Sequence, residues 1–166
     1  MPSCTVTIVS AALAAGLLSI YLIAQPMADR ARPGDFEDGV VRVKSAYSLP
    51  ETLDRLKSDV ASKGIKMFSV VDQAKLAADA GIRLRPSTLL VFGNPALGAQ
   101  FITSKPQAGL DWPVRLLVQE DDMGQVWASY TDFAWIARRH RITDREQAFG
   151  MASSVIASIT SSVARK

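Results

Sequence analysis

Five side chains in this sequence could bind a ligand, and each lies at the end of a predicted strand or in the adjoining loop. They are Asp72, Arg85, Asn94, Asp111 and Tyr130. A rigid sheet holds such residues in place while leaving them accessible, which is typical of binding sites. Asp72 and Asp111 could also act as general acid and base if they converged with Arg85. Arg85 and Asp111 could equally form a structural ion pair.

The segment Gly93-Asn94-Pro95 leads from a predicted strand into a predicted helix. The free backbone N–H groups at such a helix start can bind an anion. The same turn is also typical of an ordinary cap, because Asn is a good N-cap residue and Pro a good first helical residue. The segment therefore indicates either an anion site or a helix cap.

Other residues exclude the commonest kinds of catalytic and cofactor site. One Cys excludes an internal disulfide, and one His excludes the usual zinc sites. The acidic run Glu120-Asp121-Asp122 does not have the spacing of a calcium loop. The sequence has no dinucleotide fingerprint, no Walker loop and no serine nucleophile elbow. We therefore predict no metal, no cofactor and no catalytic residue, with an enzyme of unrecognised type using Asp72 and Asp111 as the alternative.

The charges are typical of a globular chain that does not bind nucleic acid. The sequence is 48% hydrophobic and 21% charged, with a net charge of +3. The excess of positive charge lies in residues 133–166, which hold six basic and two acidic side chains. Its densest part is Arg138, Arg139, Arg141 and Arg145, which fits a solvated helix face better than a nucleic-acid surface.

The first 28 residues carry no charged side chain, and residues 5–24 are mostly Ala, Leu, Ile and Val. A run of about 20 such residues is long enough to cross a bilayer as a helix. We predict that residues 1–28 are a signal peptide or a membrane anchor, and we favour export. If the segment were retained, Arg30 and Arg32 would favour a cytoplasmic C-terminal domain. Residues 29–39 are expected to form a linker.

The remaining chain predicts an α+β fold, a two-layer sandwich of a mainly antiparallel sheet with helices on one face, preceded by an N-terminal hydrophobic helix. The predicted strands are residues 40–46, 65–71, 87–92, 113–119 and 125–130. The predicted helices run from a capping box at Ser48 and Glu51 to Gly64, over 73–80 and 96–102, from an Asp132 cap, and from a capping box at Thr143 and Glu146. A doubly wound parallel sheet is excluded by the hairpin of residues 113–130.

The predicted C-terminal helix, within residues 143–166, has a narrow apolar stripe. Its members are Phe149, Ala152, Ile156, Ile159 and Val163. Five serines weaken the second half of this helix, because Ser is a poorer helix former than Ala or Leu. We therefore expect the helix either to pack on a partner surface or to fray.

From Val40 to Ile142 the sequence resembles a bacterial family of unknown function, DUF302. The matching positions are residues 85–95, Gly98, Gly109-Leu110-Asp111, Pro113, Val118, Glu120-Asp121, residues 124–127, Ser129-Tyr130, Asp132, Ala134-Trp135 and residues 137–140. The resemblance implies a two-layer sandwich similar to the TATA-binding-protein-like class, often found as a homodimer. It brings no established activity.

The resemblance places the domain at residues 40–142, with residues 143–166 as an additional C-terminal helix. Two positions depart from the family pattern, Gln73 where the family usually has His and Ala99 where it usually has Thr. From the apolar N-terminal segment we expect an exported, periplasmic protein, with a protein anchored in the inner membrane through residues 5–24 as the alternative. We expect a non-catalytic homodimeric interaction module that binds a small or apolar ligand, without nucleic acid.

Overall fold

The computed structural model describes residues 38–164, which contain five strands and five α-helices. The strands are β1 (Val40–Lys44), β2 (Lys66–Asp72), β3 (Ser87–Gly93), β4 (Val114–Glu120) and β5 (Val126–Thr131). The helices are α1 (Leu49–Ser62), α2 (Gln73–Asp79), α3 (Pro95–Ser104), α4 (Phe133–His140) and α5 (Glu146–Ala164). The predicted hydrophobic helix of residues 5–24, the rest of the 1–28 segment and nearly all of the 29–39 linker lie outside the described residues.

The five strands form one antiparallel sheet in the order β1-β5-β4-β3-β2. The α+β class and the antiparallel sheet are therefore as the sequence predicted. Each predicted strand is found within one or two residues of its expected limits. Within residues 38–164, no helix is both long and apolar enough to cross a membrane.

The β4–β5 hairpin forms because its loop residues suit a tight reversal. Gly124 has a φ of +75°, a conformation that glycine adopts without steric cost. The Asp121 carboxylate accepts hydrogen bonds from the backbone N–H of Met123 and Gln125 and from the indole N–H of Trp127. These bonds stabilise the charged form, so the pKa of Asp121 is lowered, most strongly by Trp127.

One face of the sheet packs against the helices. Alternate residues of β3, β4 and β5 are buried on this face, namely Leu90, Phe92, Leu116, Val118, Ala128 and Tyr130. Leu56 and Val60 of α1 and the whole predicted stripe of α5 belong to the same core. Each fully buried Leu, Ile or Phe side chain contributes about 1.5–3 kcal/mol to the free energy of folding. The second half of α5 is thus helical because its apolar stripe is buried.

The first turns of the helices test the N-caps and capping boxes that the sequence predicted. The side chains of Asp72, Asn94 and Asp132 accept hydrogen bonds from the first turns of α2, α3 and α4, as expected. The predicted capping boxes are wrong in detail. Ser48 precedes α1 without a side-chain cap hydrogen bond. Because α5 begins at Glu146, this residue is the first of the helix and not the third, and no box with Thr143 forms.

The segment between α3 and β4 also differs from the prediction. No helix is predicted between residues 102 and 113, but Pro106–Leu110 form a 3-10 helix. The peptide bond between Trp112 and Pro113 is cis.

Candidate functional site

An apolar cavity of about 390 Å³ lies in the described part of the chain. It lies on the core face of the sheet, between the ends of α1 and β3 and the helices α3 and α5. Its lining residues are Lys63, Ile65, Phe92, Gly93, Asn94, Leu97, Phe101, Trp112, Val114, Phe133, Met151, Ala152, Ser154, Val155, Ile156, Ser158 and Ile159. We call it the α3–α5 cavity.

Aromatic rings form much of the cavity's inner wall. Phe101 of α3 stacks on Phe149 of α5, with ring centroids 4.2 Å apart. Phe133 at the start of α4 lies against both of these rings. Phe101 and Phe133 are almost fully buried, so this part of the wall is close-packed. An apolar interior of this kind favours apolar ligand atoms.

Trp112 forms another wall, and two glycines allow it to lie there. A Cβ atom built on Gly98 would be 2.0 Å from Cε2 of Trp112, and one on Gly93 would be 3.0 Å from Nε1 of the same ring. The indole therefore packs directly on the backbone of α3 and the end of β3. On another side it meets Phe68 edge-on, with centroids 5.9 Å apart. Any larger residue at position 98 would displace this wall.

The polar groups of the cavity lie at its rim. Asn94, Ser154 and Ser158 are exposed, and the side chain of Lys63 is 30% exposed. The ammonium Nζ of Lys63 donates to Oδ1 of Asp59 at 2.9 Å. The arrangement is an apolar interior with one cation and a few neutral polar groups at the entrance.

Of the five predicted site residues, Asn94 lies at this cavity. Its side-chain oxygen accepts hydrogen bonds from the backbone N–H of Ala96 and Leu97, at 3.0 and 3.2 Å. Those N–H groups are therefore engaged by the cap. The geometry favours the cap over an anion site at this turn, while Asn94 still contributes to the rim of the cavity.

Asp72 and Arg85 lie at the opposite end of the sheet. Asp72 pairs with Thr88 of β3 and caps α2. Arg85 donates to Asp122 at 2.7 Å, on the surface. Asp111 instead lies near the first residue of β4, beside the end of β3. The hypothesis of an Asp72–Asp111 acid–base pair is wrong, because the two carboxylates lie near opposite ends of β3. The hypothesis of an Arg85–Asp111 ion pair is also wrong, because each of these residues has other partners.

Asp111 is the centre of a buried polar cluster. Its carboxylate accepts from Arg139 at 3.1 Å through both oxygens and from Arg115 at 3.3 Å. It lies 2.6 Å from Nε2 of His140. The side chains of Asp111 and His140 are only 3% and 7% exposed. The cluster ties the 3-10 helix to β4 and α4, which is a structural role.

Tyr130 is part of the core. It lies on β5 with 8% of its surface exposed. Burial disfavours its charged form and raises its pKa, and the charge of Asp132 adds to this, while a hydrogen bond with Thr160 of α5 acts in the opposite direction. A neutral buried phenol that bonds to the neighbouring helix packs the core and is not placed to bind a ligand.

Two cavity residues, Lys63 and Trp112, were not among the predicted site residues. A lysine at the end of a helix is usually solvated, so position 63 carried no signal. Gly93 at the end of β3 and Gly98 within α3 were a usable signal for a close aromatic contact with Trp112. Among residues 38–164, no group of three His, Cys, Asp or Glu side chains could hold a metal ion.

Comparison with known proteins gives a family and a fold. The family described as "Domain of unknown function DUF302" matches residues 41–160. A crystal structure titled as an uncharacterized conserved protein DUF302 from Bacillus stearothermophilus has a TM-score of 0.69 at 14% identity, covering 75% of this chain and 98% of that one. This likeness supports the fold of the described residues.

Proteins named as fluoride-specific ion channels are also similar to part of this chain. FluC 1 from Brucella suis biovar 1 (strain 1330) is 40% identical over 106 residues, which are 64% of this chain and 42% of that protein. FluC 1 from Brucella abortus biovar 1 (strain 9-941) matches equally over 39% of its length. The chain thus spans less than half the length of these relatives.

Proposed function

The chain belongs to the DUF302 family of domains of unknown function, and from this premise we propose that it is a non-catalytic module that binds a small apolar ligand in the α3–α5 cavity. The observation that carries the proposal is the cavity itself, about 390 Å³ of mainly apolar space walled by Trp112, Phe101 and α5. Cavities of this size and lining are typical of small-molecule sites.

The polar side chains of the described region support binding over catalysis. The carboxylates of Asp72 and Asp111 are separated, and Asp111 is fully engaged with Arg115, Arg139 and His140. None of these groups lines the cavity. A ligand held there would contact hydrocarbon, aromatic rings and a few rim groups, which favours reversible binding.

A matched pair of variants of the full chain tests this function. Val155→Phe enlarges a side chain that lines the cavity, whereas Val70→Phe makes the same change at a valine of β2 that is 46% exposed and outside the cavity. The neutral probe N-phenyl-1-naphthylamine should bind the wild-type chain and Val70→Phe alike. We expect Val155→Phe to weaken binding by at least fivefold, because the added ring occupies ligand space. Equal binding by all three proteins would contradict the proposal.

We further propose that the module is a homodimer joined through the second face of the sheet. This face carries four partly buried apolar residues, Leu89, Val91, Leu117 and Trp127. Apolar side chains grouped on one face of a sheet are typical of an interaction site. A second copy is the occupant that the family resemblance implies.

The dimer has its own test. Leu117→Glu should convert the full chain to a monomer in size-exclusion chromatography with light scattering, because it would bury a charge at the centre of the interface. Leu110→Glu is the control, since Leu110 is 67% exposed on the 3-10 helix. A wild-type chain that is monomeric at high concentration, or a Leu117→Glu chain that stays dimeric, would exclude this interface.

We also propose that the domain is exported or membrane-anchored, and that it acts beside other membrane components. The apolar residues 5–24 support the location. The relatives named as fluoride-specific ion channels support the setting, because in them a similar region is joined to a longer polypeptide. Membrane fractionation, an alkaline carbonate wash and N-terminal sequencing test the location. A full-length chain in the cytosolic fraction would contradict it.

A further inference from the structure

We infer that the ligand of the α3–α5 cavity is an anionic amphiphile, a hydrocarbon chain with a carboxylate or similar head group held by Lys63. This inference rests on the proposed function and names the class of ligand. It depends on one feature of the cavity, the separation of an apolar interior from a cationic entrance.

The charges along the cavity favour this class. Among the described residues that line it, Lys63 is the one with a charged side chain, and none is acidic. A cationic amphiphile would bring like charges together at the rim, and a purely apolar ligand would not use the ammonium group. An anionic head group would receive a charge-assisted hydrogen bond, which is shorter and stronger than a neutral one.

Lys63 is placed to make that bond. It is the C-cap residue of α1, directly before Gly64, and it is one of the residues that line the cavity. An ammonium group has three N–H donors. One is used by Oδ1 of Asp59, one turn earlier in α1, which also holds the lysine side chain in place.

Asp59 should weaken the attraction between Lys63 and an anionic head group. Its carboxylate partly neutralises Lys63, and its second oxygen, Oδ2, is buried without a hydrogen-bond partner. Removing the charge of Asp59 would therefore strengthen the attraction between Lys63 and an anionic head group. The two residues should act in opposite directions on the same ligand, which a merely structural ion pair would not do.

The experiment compares three probes with the same ten-carbon chain, namely decanoate, decan-1-ol and decyltrimethylammonium. Each probe is titrated against N-phenyl-1-naphthylamine bound to the full chain, and displacement of the dye is measured. Each probe is compared with itself across variants, so that differences in solubility cancel. Lys63→Met should weaken decanoate binding about tenfold and leave decanol within twofold. Asp59→Asn should strengthen decanoate binding severalfold, and Lys63→Arg should retain it.

Lys57→Met is the matched control, because Lys57 lies on α1 outside the cavity and pairs with Asp54 at 3.7 Å. It should leave all three affinities unchanged. If Lys63→Met and Lys57→Met bind decanoate equally well, the inference is overturned while the apolar cavity stands. If none of the three probes displaces the dye and Val155→Phe binds it normally, the proposed function itself fails. A wild-type preference for decyltrimethylammonium would also overturn the inference.

Discussion

Asp111 and Trp112 are neighbours in the chain, yet Asp111 belongs to a buried polar cluster and Trp112 to the wall of an apolar cavity. Around Asp111, two guanidinium groups and an imidazole surround one buried carboxylate, and its hydrogen-bonding capacity is used within the protein. Around Trp112, apolar walls enclose space that the described residues do not fill. The Asp111 cluster is thus structural although it is rich in ionisable side chains, whereas the apolar α3–α5 cavity is the better candidate for binding.

The largest effect is expected from removing the carboxylate of Asp111. Asp111→Ala should lower the free energy of unfolding by about 3 kcal/mol. The buried His140 would lose its partner, and Arg115 and Arg139 would lose the carboxylate that both of them contact. Urea unfolding measures the loss.

Asp122→Ala is the control for this substitution. Asp122 also pairs with an arginine, Arg85, but its side chain is 91% exposed. Exposed ion pairs contribute little, so the change should stay within about 0.5 kcal/mol. Equal losses in the two variants would show that the Asp111 cluster is not a structural centre.

An intermediate loss of stability is expected from a substitution that displaces the indole of Trp112. Gly98→Ala should destabilise the fold by about 2 kcal/mol, because the new Cβ overlaps the indole ring and overpacks the site. The displaced ring should also narrow the cavity and weaken dye binding. Both effects are measured on one purified variant by urea unfolding and fluorescence titration.

Gly150→Ala is the matched glycine. It lies in α5, and a Cβ there would meet no atom within 4 Å. Alanine is the better helix former by about 1 kcal/mol, so this variant should gain stability of that order. If both alanine variants gain stability, Trp112 does not pack on α3 as described.

The smallest effect concerns pH at the hairpin, away from both regions. The pKa of Asp121 is lowered in the folded chain, chiefly by the indole N–H of Trp127. Its stabilising contribution is therefore present above the ordinary aspartate pKa of about 3.9 and is lost as the pH falls through the folded-state value. Asp121→Asn should lower the melting temperature at pH 6 and reduce its further fall between pH 6 and pH 3.

Circular dichroism melts at the two pH values measure this difference. Asp54→Asn is the comparison, because the Asp54 side chain is 79% exposed and meets Lys57 only at 3.7 Å. It should behave as the wild-type chain does. An unchanged acid dependence in Asp121→Asn would remove the role assigned to the Trp127 contact.

The sequence predicted those features that depend on neighbouring residues. The caps by Asn94 and Asp132 follow from local chemistry. The alternating pattern of the strands and the stripe of α5 follow from burial on one side. These signals were sufficient for the α+β class and the antiparallel sheet.

The candidate site could not be predicted in the same way, because it joins distant parts of the chain. Lys63, Asn94 and Val155 come from α1, the start of α3 and α5, and only the packing of these helices makes them line one space. The partners of Asp111 lie in β4 and at the end of α4, so its contacts could not be predicted from the sequence for the same reason.

The strand order has a consequence for how this chain is made. The first strand of the sheet bonds only to the last one, so that Val40 meets Thr131. A ribosome must therefore release the chain through β5 before β1 can pair. Until then the backbone of β1 is unpaired and its valines are uncovered in the nascent chain, and unpaired strands of this kind are prone to aggregate.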